Sequence, residues 1–271
     1  MSSCIHVDGC VVEASDSDPV SSSPLVVRVY GICTKDPTVA SIVLEFCSLG
    51  DLRTYLDSDV PLGDEQRVAI LMDIAQVQCP PLLASVSLYP SQFKSQGMDY
   101  LYENGVQHRD LKAANCLLDA HCHVKLADFG LARRSGRKED KQDAEKADGA
   151  AGTPTHMAPE LLLTNSNRFF CEKSDVYSYA IVIYEMLSRK VPFKGLNESQ
   201  IIAQINAQQR PSPIPTDSPP ELITLMKECW AHDTAMRQKF KGVIADLQDA
   251  AEAISKLPKQ GQSAVFHLSR S

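Results

Sequence analysis

His108-Arg109-Asp110-Leu111-Lys112-Ala113-Ala114-Asn115 is the stretch on which the fold of this chain turns. A His-Arg-Asp triplet alone recurs by chance. Here Lys112 and Asn115 follow at short, fixed distances, Asp128-Phe129-Gly130 comes next, and Ala158-Pro159-Glu160 comes after that. The surrounding 271 residues have an ordinary globular composition, 44% hydrophobic and 23% charged. That excludes collagen-like, coiled-coil and wholly disordered chains. No apolar run is long enough for a membrane-spanning helix, and the first residues lack the basic flank and apolar stretch of a secretory leader. A net charge of −7 repels phosphate backbones and anionic lipid, so no nucleic-acid or membrane partner is expected. The 9 cysteines are odd in number and scattered, without a Cys-x-x-Cys pair. A disulfide framework is not expected, and a reducing, cytoplasmic compartment is.

Outward from the central stretch the pattern divides into a small β piece and a larger helical part. Residues 1–24 carry few structural signals and read as a flexible lead-in. Leu25–Tyr30 and Ser41–Phe46 read as strands of a hairpin, with Lys35-Asp36-Pro37 as turn chemistry between them. Two strands alone are marginal, and no upstream partner is apparent. Asp51–Leu56 reads as a short helix with Asp51 at its positive end. Glu65–Gln76 reads as a longer helix, stopped before Pro80-Pro81, and helical character resumes over Gly97–Tyr102. Cys116–Leu118 and His123–Leu126 read as short strands, and residues 131–151 as a charged loop. From Glu172 the reading is helix after helix: Val176, Tyr179, Ala180, Ile183 and Leu187 recur at helical spacing, and Ser199–Ala207, Pro220–Trp230 and Phe240–Leu257 follow.

The three motifs together resemble the signature set of the protein kinases. The resemblance implies an α+β, protein-kinase-like fold: a truncated small β lobe of about two strands, then a large, mostly helical lobe. It covers residues 25–257, with 25–50 as the remnant of the small lobe and hinge, 51–257 as the large lobe and 258–271 as a tail. It implies a protein Ser/Thr kinase that moves the γ-phosphate of ATP to protein hydroxyls with Mg²⁺. Asp110 would orient the substrate hydroxyl and accept its hydrogen, Lys112 would steady the transferred group, and Asn115 and Asp128 would ligate Mg²⁺ through oxygen. Leu44-Glu45-Phe46-Cys47-Ser48-Leu49-Gly50-Asp51 resembles the hinge. There Glu45 and Cys47 would offer backbone groups to adenine, Leu44 would be the gatekeeper, Asp51 would reach the ribose and Leu117 would floor the pocket. Arg237, just beyond Cys229-Trp230, would pair with Glu160.

Specificity is also implied. Lys112, two residues after Asp110, stands where tyrosine kinases usually carry Ala or Arg. Thr153, in Gly152-Thr153-Pro154, matches a threonine that in Ser/Thr kinases touches the catalytic Asp and Lys. The Cys-Trp near the C-terminus looks like the tyrosine-kinase-like branch of that group. Between Gly136 and Gly152 there is no Ser, Thr or Tyr, so candidates for phosphorylation reduce to Ser135, Thr153 and Thr155. Glu139, Asp140, Asp143, Glu145 and Asp148 could offer standing negative charge to Arg109; a solvated mixed-charge loop is the alternative. Cys116, His121, Cys122 and His123 superficially suggest a metal site, but on a strand His121 and His123 face opposite to Cys122.

Two departures bear on activity. No glycine-rich loop precedes the hinge, and no lysine precedes Lys35, which falls in the hairpin turn. Lost phosphate contacts cost several kcal/mol of transition-state stabilisation. The chain as written is therefore expected to be a poor kinase or none; the alternative is a catalytically dead pseudokinase or scaffold. Secondly, the 20 residues Val77–Gln96 interrupt a helix. With them excised, Leu71, Ile74, Ala75, Met98 and Leu101 fall at i, i+3, i+4, i+7 and i+10, one apolar face. Val and Gln at the ends fit an in-frame retained intron; a surface insertion is the other reading.

Overall fold

The computed structural model describes residues 4–7, 10–13, 25–36, 39–78, 106–134, 152–162 and 171–256. The expected helix at Gly97–Tyr102, the insertion beyond Gln78, the acidic stretch from Glu139 to Asp148 and the tail 258–271 lie outside these residues. No helix among the described residues is long and apolar enough to cross a membrane.

The small β part begins earlier than expected. Residues Cys4–Val7 (β1) and Cys10–Glu13 (β2) pair antiparallel within the supposed lead-in, and β2 lies beside the next hairpin. Val29–Asp36 (β3) and Val39–Leu44 (β4) form that hairpin. Lys35 therefore belongs to β3 and not to the turn. The first strand is also displaced from the expected Leu25–Tyr30. A register shift between Val29 and Gly31 marks a bulge, and Gly31 sits there at φ 148, a conformation open to glycine at no steric cost. Upstream, Val26 instead bridges parallel to Leu126, with Val27 N–H donating to Leu126 O (2.9 Å) and Leu126 N–H to Leu25 O (2.8 Å). This bridge fastens the β part to the large lobe. Cys33 is disulfide-bonded, against the expectation of reduced cysteines, while Cys47, Cys116, Cys122, Cys171 and Cys229 are free.

Beyond the hinge, Gly50–Asp51 (β5), Cys116–Leu118 (β7) and Val124–Leu126 (β8) form an antiparallel sheet in the order β5-β7-β8, and Val106–Gln107 (β6) pairs with Arg133–Arg134 (β9). Asp51 caps helix α1 (Leu52–Asp57) by accepting Thr54 N–H at 2.9 Å. Helix α2 (Asp64–Gln78) opens with two acids facing the dipole and buries Leu71, Ile74 and Ala75 completely. Helix α3 (Glu172–Ser188) is buried on every side, so its apolar periodicity captures only part of its core contribution. Helices α4 (Glu198–Asn206), α5 (Pro220–Cys229) and α6 (Phe240–Ser255) complete the lobe, with α6 packed on α2 and α5 on α3. Each lies within two residues of its expected bounds.

Candidate active site

The loop between β6 and β7 is built by buried acceptors. Asp175, at the start of α3, accepts His108 N–H (2.9 Å) and Arg109 N–H (3.0 Å), one on each oxygen. This lets the chain turn through Arg109 at φ 68, a left-handed conformation costly for a side-chain-bearing residue. Burial is the main influence on Asp175 and pushes its carboxyl up. Burial likewise pushes His108 down, toward the neutral ring. His108 Nε2 then meets Ala127 O at 3.1 Å, and its ring packs at 4.9 Å from that of Phe129.

Asp110, itself buried, is the centre of the site. Its Oδ1 accepts Thr153 N–H at 3.0 Å and the Thr153 hydroxyl at 2.7 Å. Its Oδ2 accepts Lys112 Nζ at 2.7 Å and Asn115 Nδ2 at 3.1 Å. Lys112 Nζ also donates to Thr153 Oγ1 at 2.8 Å, closing a triangle of carboxylate, ammonium and hydroxyl. Burial, the largest single influence, raises the Asp110 carboxyl, but the bonds from Lys112, Thr153 and Asn115 outweigh it and hold Asp110 below the ordinary carboxylate range. Asn115 Nδ2 also donates to Asp110 O (2.7 Å), which directs its Oδ1 away from Asp110.

The second motif joins this loop through Ala127, whose N–H donates to Asn115 O at 2.9 Å. Asp128 follows at φ 61 and ψ 66, its Oδ1 accepting Gly130 N–H at 3.4 Å, and its side chain is exposed. The Asp110, Lys112 and Asn115 side chains thus share one bonded cluster, and Asp128 is tied to it through Ala127, by one backbone bond to Asn115 O and by the His108 ring on Ala127 O.

The hinge residues are placed less uniformly. Leu44 ends β4 and is 44% exposed. Glu45 N–H donates to Arg28 O at 2.8 Å, while its carboxylate accepts Arg28 N–H and pairs with Lys125 Nζ. Cys47 is buried, and its carbonyl accepts Gly50 N–H at 3.1 Å. Burial and neighbouring Glu45 push the Cys47 thiol up. Leu117 lies mid-sheet, with Asp51 opposite on β5 and Lys125 opposite on β8. Asp51 spends both carboxylate oxygens on Thr54, N–H to one (2.9 Å) and hydroxyl to the other (2.7 Å), so its helix-capping role is the one on view. Around the four-residue cluster once suspected of binding metal, Asp119 Oδ1 accepts the N–H of His121 and of His123, which makes that stretch a closed turn.

Sequence reasoning missed Glu185 and His156. Glu185 is the one acid of α3 beyond its first turn, and nothing in its spacing distinguishes it from a solvated residue. Lys125, on an alternating strand, gave no signal either.

Taken together, the loop, its Asp110 triangle and the Asp128 turn form one hydrogen-bonded site on an α+β scaffold. A family model for protein tyrosine and serine/threonine kinases matches residues 13–247, and the chain belongs to the protein kinase family. Its place there is the tyrosine-kinase-like branch. The serine/threonine/tyrosine-protein kinase HT1 of Arabidopsis thaliana is 31% identical over 248 residues, 91% of this chain and 55% of the relative. The serine/threonine-protein kinase STY46 of the same plant is 32% identical over 232 residues, 85% of this chain and 35% of the relative. The dual specificity protein kinase shkA of Dictyostelium discoideum is 39% identical over 143 residues, 52% of this chain and 26% of the relative. The chain thus spans about half or less of the length of these relatives. The match begins at residue 13, inside the segment that reads from sequence as a lead-in.

Proposed function

We propose that the chain binds Mg²⁺-ATP between the hinge, residues 44–51, and the loop carrying Asp110 and Asp128, and transfers the γ-phosphoryl group to Ser or Thr hydroxyls of proteins. The observation that carries this reading is the Thr153 hydroxyl, held between Asp110 Oδ1 at 2.7 Å and Lys112 Nζ at 2.8 Å. A substrate hydroxyl needs the same two partners. As its oxygen bonds to the γ-phosphorus and the bond to the β–γ bridging oxygen breaks, its proton goes to Asp110 and ADP leaves. Lys112 would offset charge on the transferred group.

The donor set fits Mg²⁺: an exposed Asp128 carboxylate and an Asn115 amide whose nitrogen is committed to Asp110, leaving oxygen for a hard cation. Bound there, the ion would neutralise phosphate charge. Leu44, Glu45, Cys47 and Leu117 would line the base, with Asp51 the weakest of the set because Thr54 occupies its carboxylate. The kinase domain is proposed over 25–257, with 77–96 an insertion and 258–271 a tail, in a cytoplasmic protein. A second reading, a catalytically dead scaffold, is favoured by the position of Lys35, which lies at the hairpin-turn end of β3, away from the hinge end where Val29 pairs with Leu44.

Thermal unfolding with and without Mg²⁺-ATP, followed by transfer of labelled phosphate to a generic Ser/Thr substrate, separates the two. A ligand at 100 times its Kd stabilises by about 2.7 kcal/mol. Stabilisation and turnover that Asp128→Asn and Asp110→Asn respectively remove are expected of the kinase. No stabilisation and no turnover would leave the scaffold.

A further inference from the structure

Glu185 stands inside α3, 3% exposed, and three separate elements donate to it. Arg53 Nη1 of α1 reaches Oε1 at 3.2 Å, while His156 Nε2 (3.0 Å) and Ala113 N–H (3.2 Å) share Oε2. Burial, the largest influence, raises the Glu185 carboxyl; the His156 and Arg53 bonds together override it and hold Glu185 low. It therefore accepts only, and His156 Nε2 must carry the hydrogen. His156 Nδ1 lies 2.8 Å from Thr155 Oγ1. Ala113 follows Lys112, and His156 ends the turn Pro154–His156 that begins beside Thr153. The Thr153 segment thus grips the Asp110 loop twice, in front through Thr153 and behind through His156 and Glu185.

We propose that His156 is a positioning residue, an Nε2–H donor that, through Glu185, fixes the Ala113 backbone and hence the Asp110–Lys112 geometry on which the proposed phosphoryl transfer rests. A glutamine at 156 can place an amide N–H where Nε2 stands, whereas an asparagine is too short. The link is therefore a reach-specific hydrogen bond and not general packing.

Long-range ¹H–¹⁵N spectra of the full chain read the ring directly, and the Nε2–H form is expected. Glu185→Gln, which keeps the shape and removes the charge, should raise the Nδ1–H share. By hydrogen exchange, the Ala113 amide should exchange about fivefold faster in His156→Asn and within about twofold of the parent in His156→Gln, the scale of one hydrogen bond. Where the chain turns over, kcat should follow the same order with the ATP KM unchanged. An Nδ1–H ring in the unmodified chain, or His156→Asn and His156→Gln behaving alike, overturns the proposal. Absent turnover in the parent refutes the phosphoryl-transfer reading alone, since ring and amide measurements still decide the link.

Discussion

Arg237 holds Glu160 with both terminal nitrogens, Nη1 to Oε1 and Nη2 to Oε2, each at 2.8 Å. The Arg237 side chain is fully buried, and its remaining donors meet the carbonyls of Ala231 (2.7 Å), Lys173 (3.0 Å) and His232 (3.1 Å). The guanidinium also lies 5.1 Å over the Tyr177 ring. A residue from the approach to α6 thereby locks the Ala158-Pro159-Glu160 motif onto the start of α3.

Removing that fork leaves the partly buried Glu160 carboxylate without its bidentate partner. Arg237→Lys keeps the charge but cannot serve five acceptors in one plane. It should cost about 2–4 kcal/mol, the scale of a broken buried pair, measured by urea unfolding. A loss under ~0.5 kcal/mol would contradict this account.

Arg189 ends α3 at φ 54 and turns its guanidinium onto the end of α1, donating to the carbonyls of Leu56 (2.9 Å), Ser58 (2.7 Å) and Val60 (2.9 Å). Leu56 O is one of the carbonyls that a helix end leaves unpaired, and Ser58 and Val60 belong to the segment just beyond it. Arg189→Ala should destabilise by about 1–2 kcal/mol. Lys190→Ala, at an exposed neighbouring position, should be near neutral in the same denaturation series.

Gly152 stands at φ 124, and a Cβ there would lie 2.9 Å from Arg109 O. Gly152→Ala must push Thr153 off Asp110 or strain the Arg109 turn. A loss of about 1–3 kcal/mol is expected, with faster exchange of the Thr153 amide. Unchanged exchange at Thr153 would show that the neighbouring backbone absorbs the methyl.

His123 Nδ1 meets buried Asp73 Oδ2 at 3.3 Å, and Asp73 also accepts Val124 N–H at 3.0 Å. The Asp73 bond is the main cause holding His123 above its ordinary value, with Asp119 adding to it. The folded state therefore binds the proton more tightly than the unfolded chain. The stabilisation is full below about pH 6.5, the unfolded value, and is lost as pH rises through the higher folded value. Solvent screens this half-exposed pair, so the effect is small in size. His123→Gln should flatten the fall in unfolding temperature between pH 6 and 8, relative to the parent, and an identical slope in both proteins would exclude the pair as its source.

The helical lobe was readable because its information is local. Apolar spacing at Leu71, Ile74 and Ala75 reports a face, the Asp51 cap reports a start, and Pro220 reports the first turn of α5. The β part was less readable because strand pairing is a contact between distant residues. Leu25-Val26-Val27 looks like any strand, yet Val26 bridges to Leu126, nearly a hundred residues on, and the true strand starts after it. The hairpin at 4–13 did carry a turn signal, Asp8-Gly9 between Val7 and Cys10, which is the usual chemistry of a two-residue hairpin loop and which reading the segment as a lead-in passed over.

Asp110, Lys112, Asn115 and Asp128 were singled out as candidates by the sequence itself, since residue types at fixed separations on two successive loops need no distant partner to be recognised. Their arrangement came only with the tertiary structure. Asp175, His156, Glu185 and Lys125 belong to no such pattern, and a buried polar group acquires meaning from the groups that meet it in space. Which acceptor holds which loop is settled where the chain closes on itself and water is expelled, since a polar group there must find its partner within the protein.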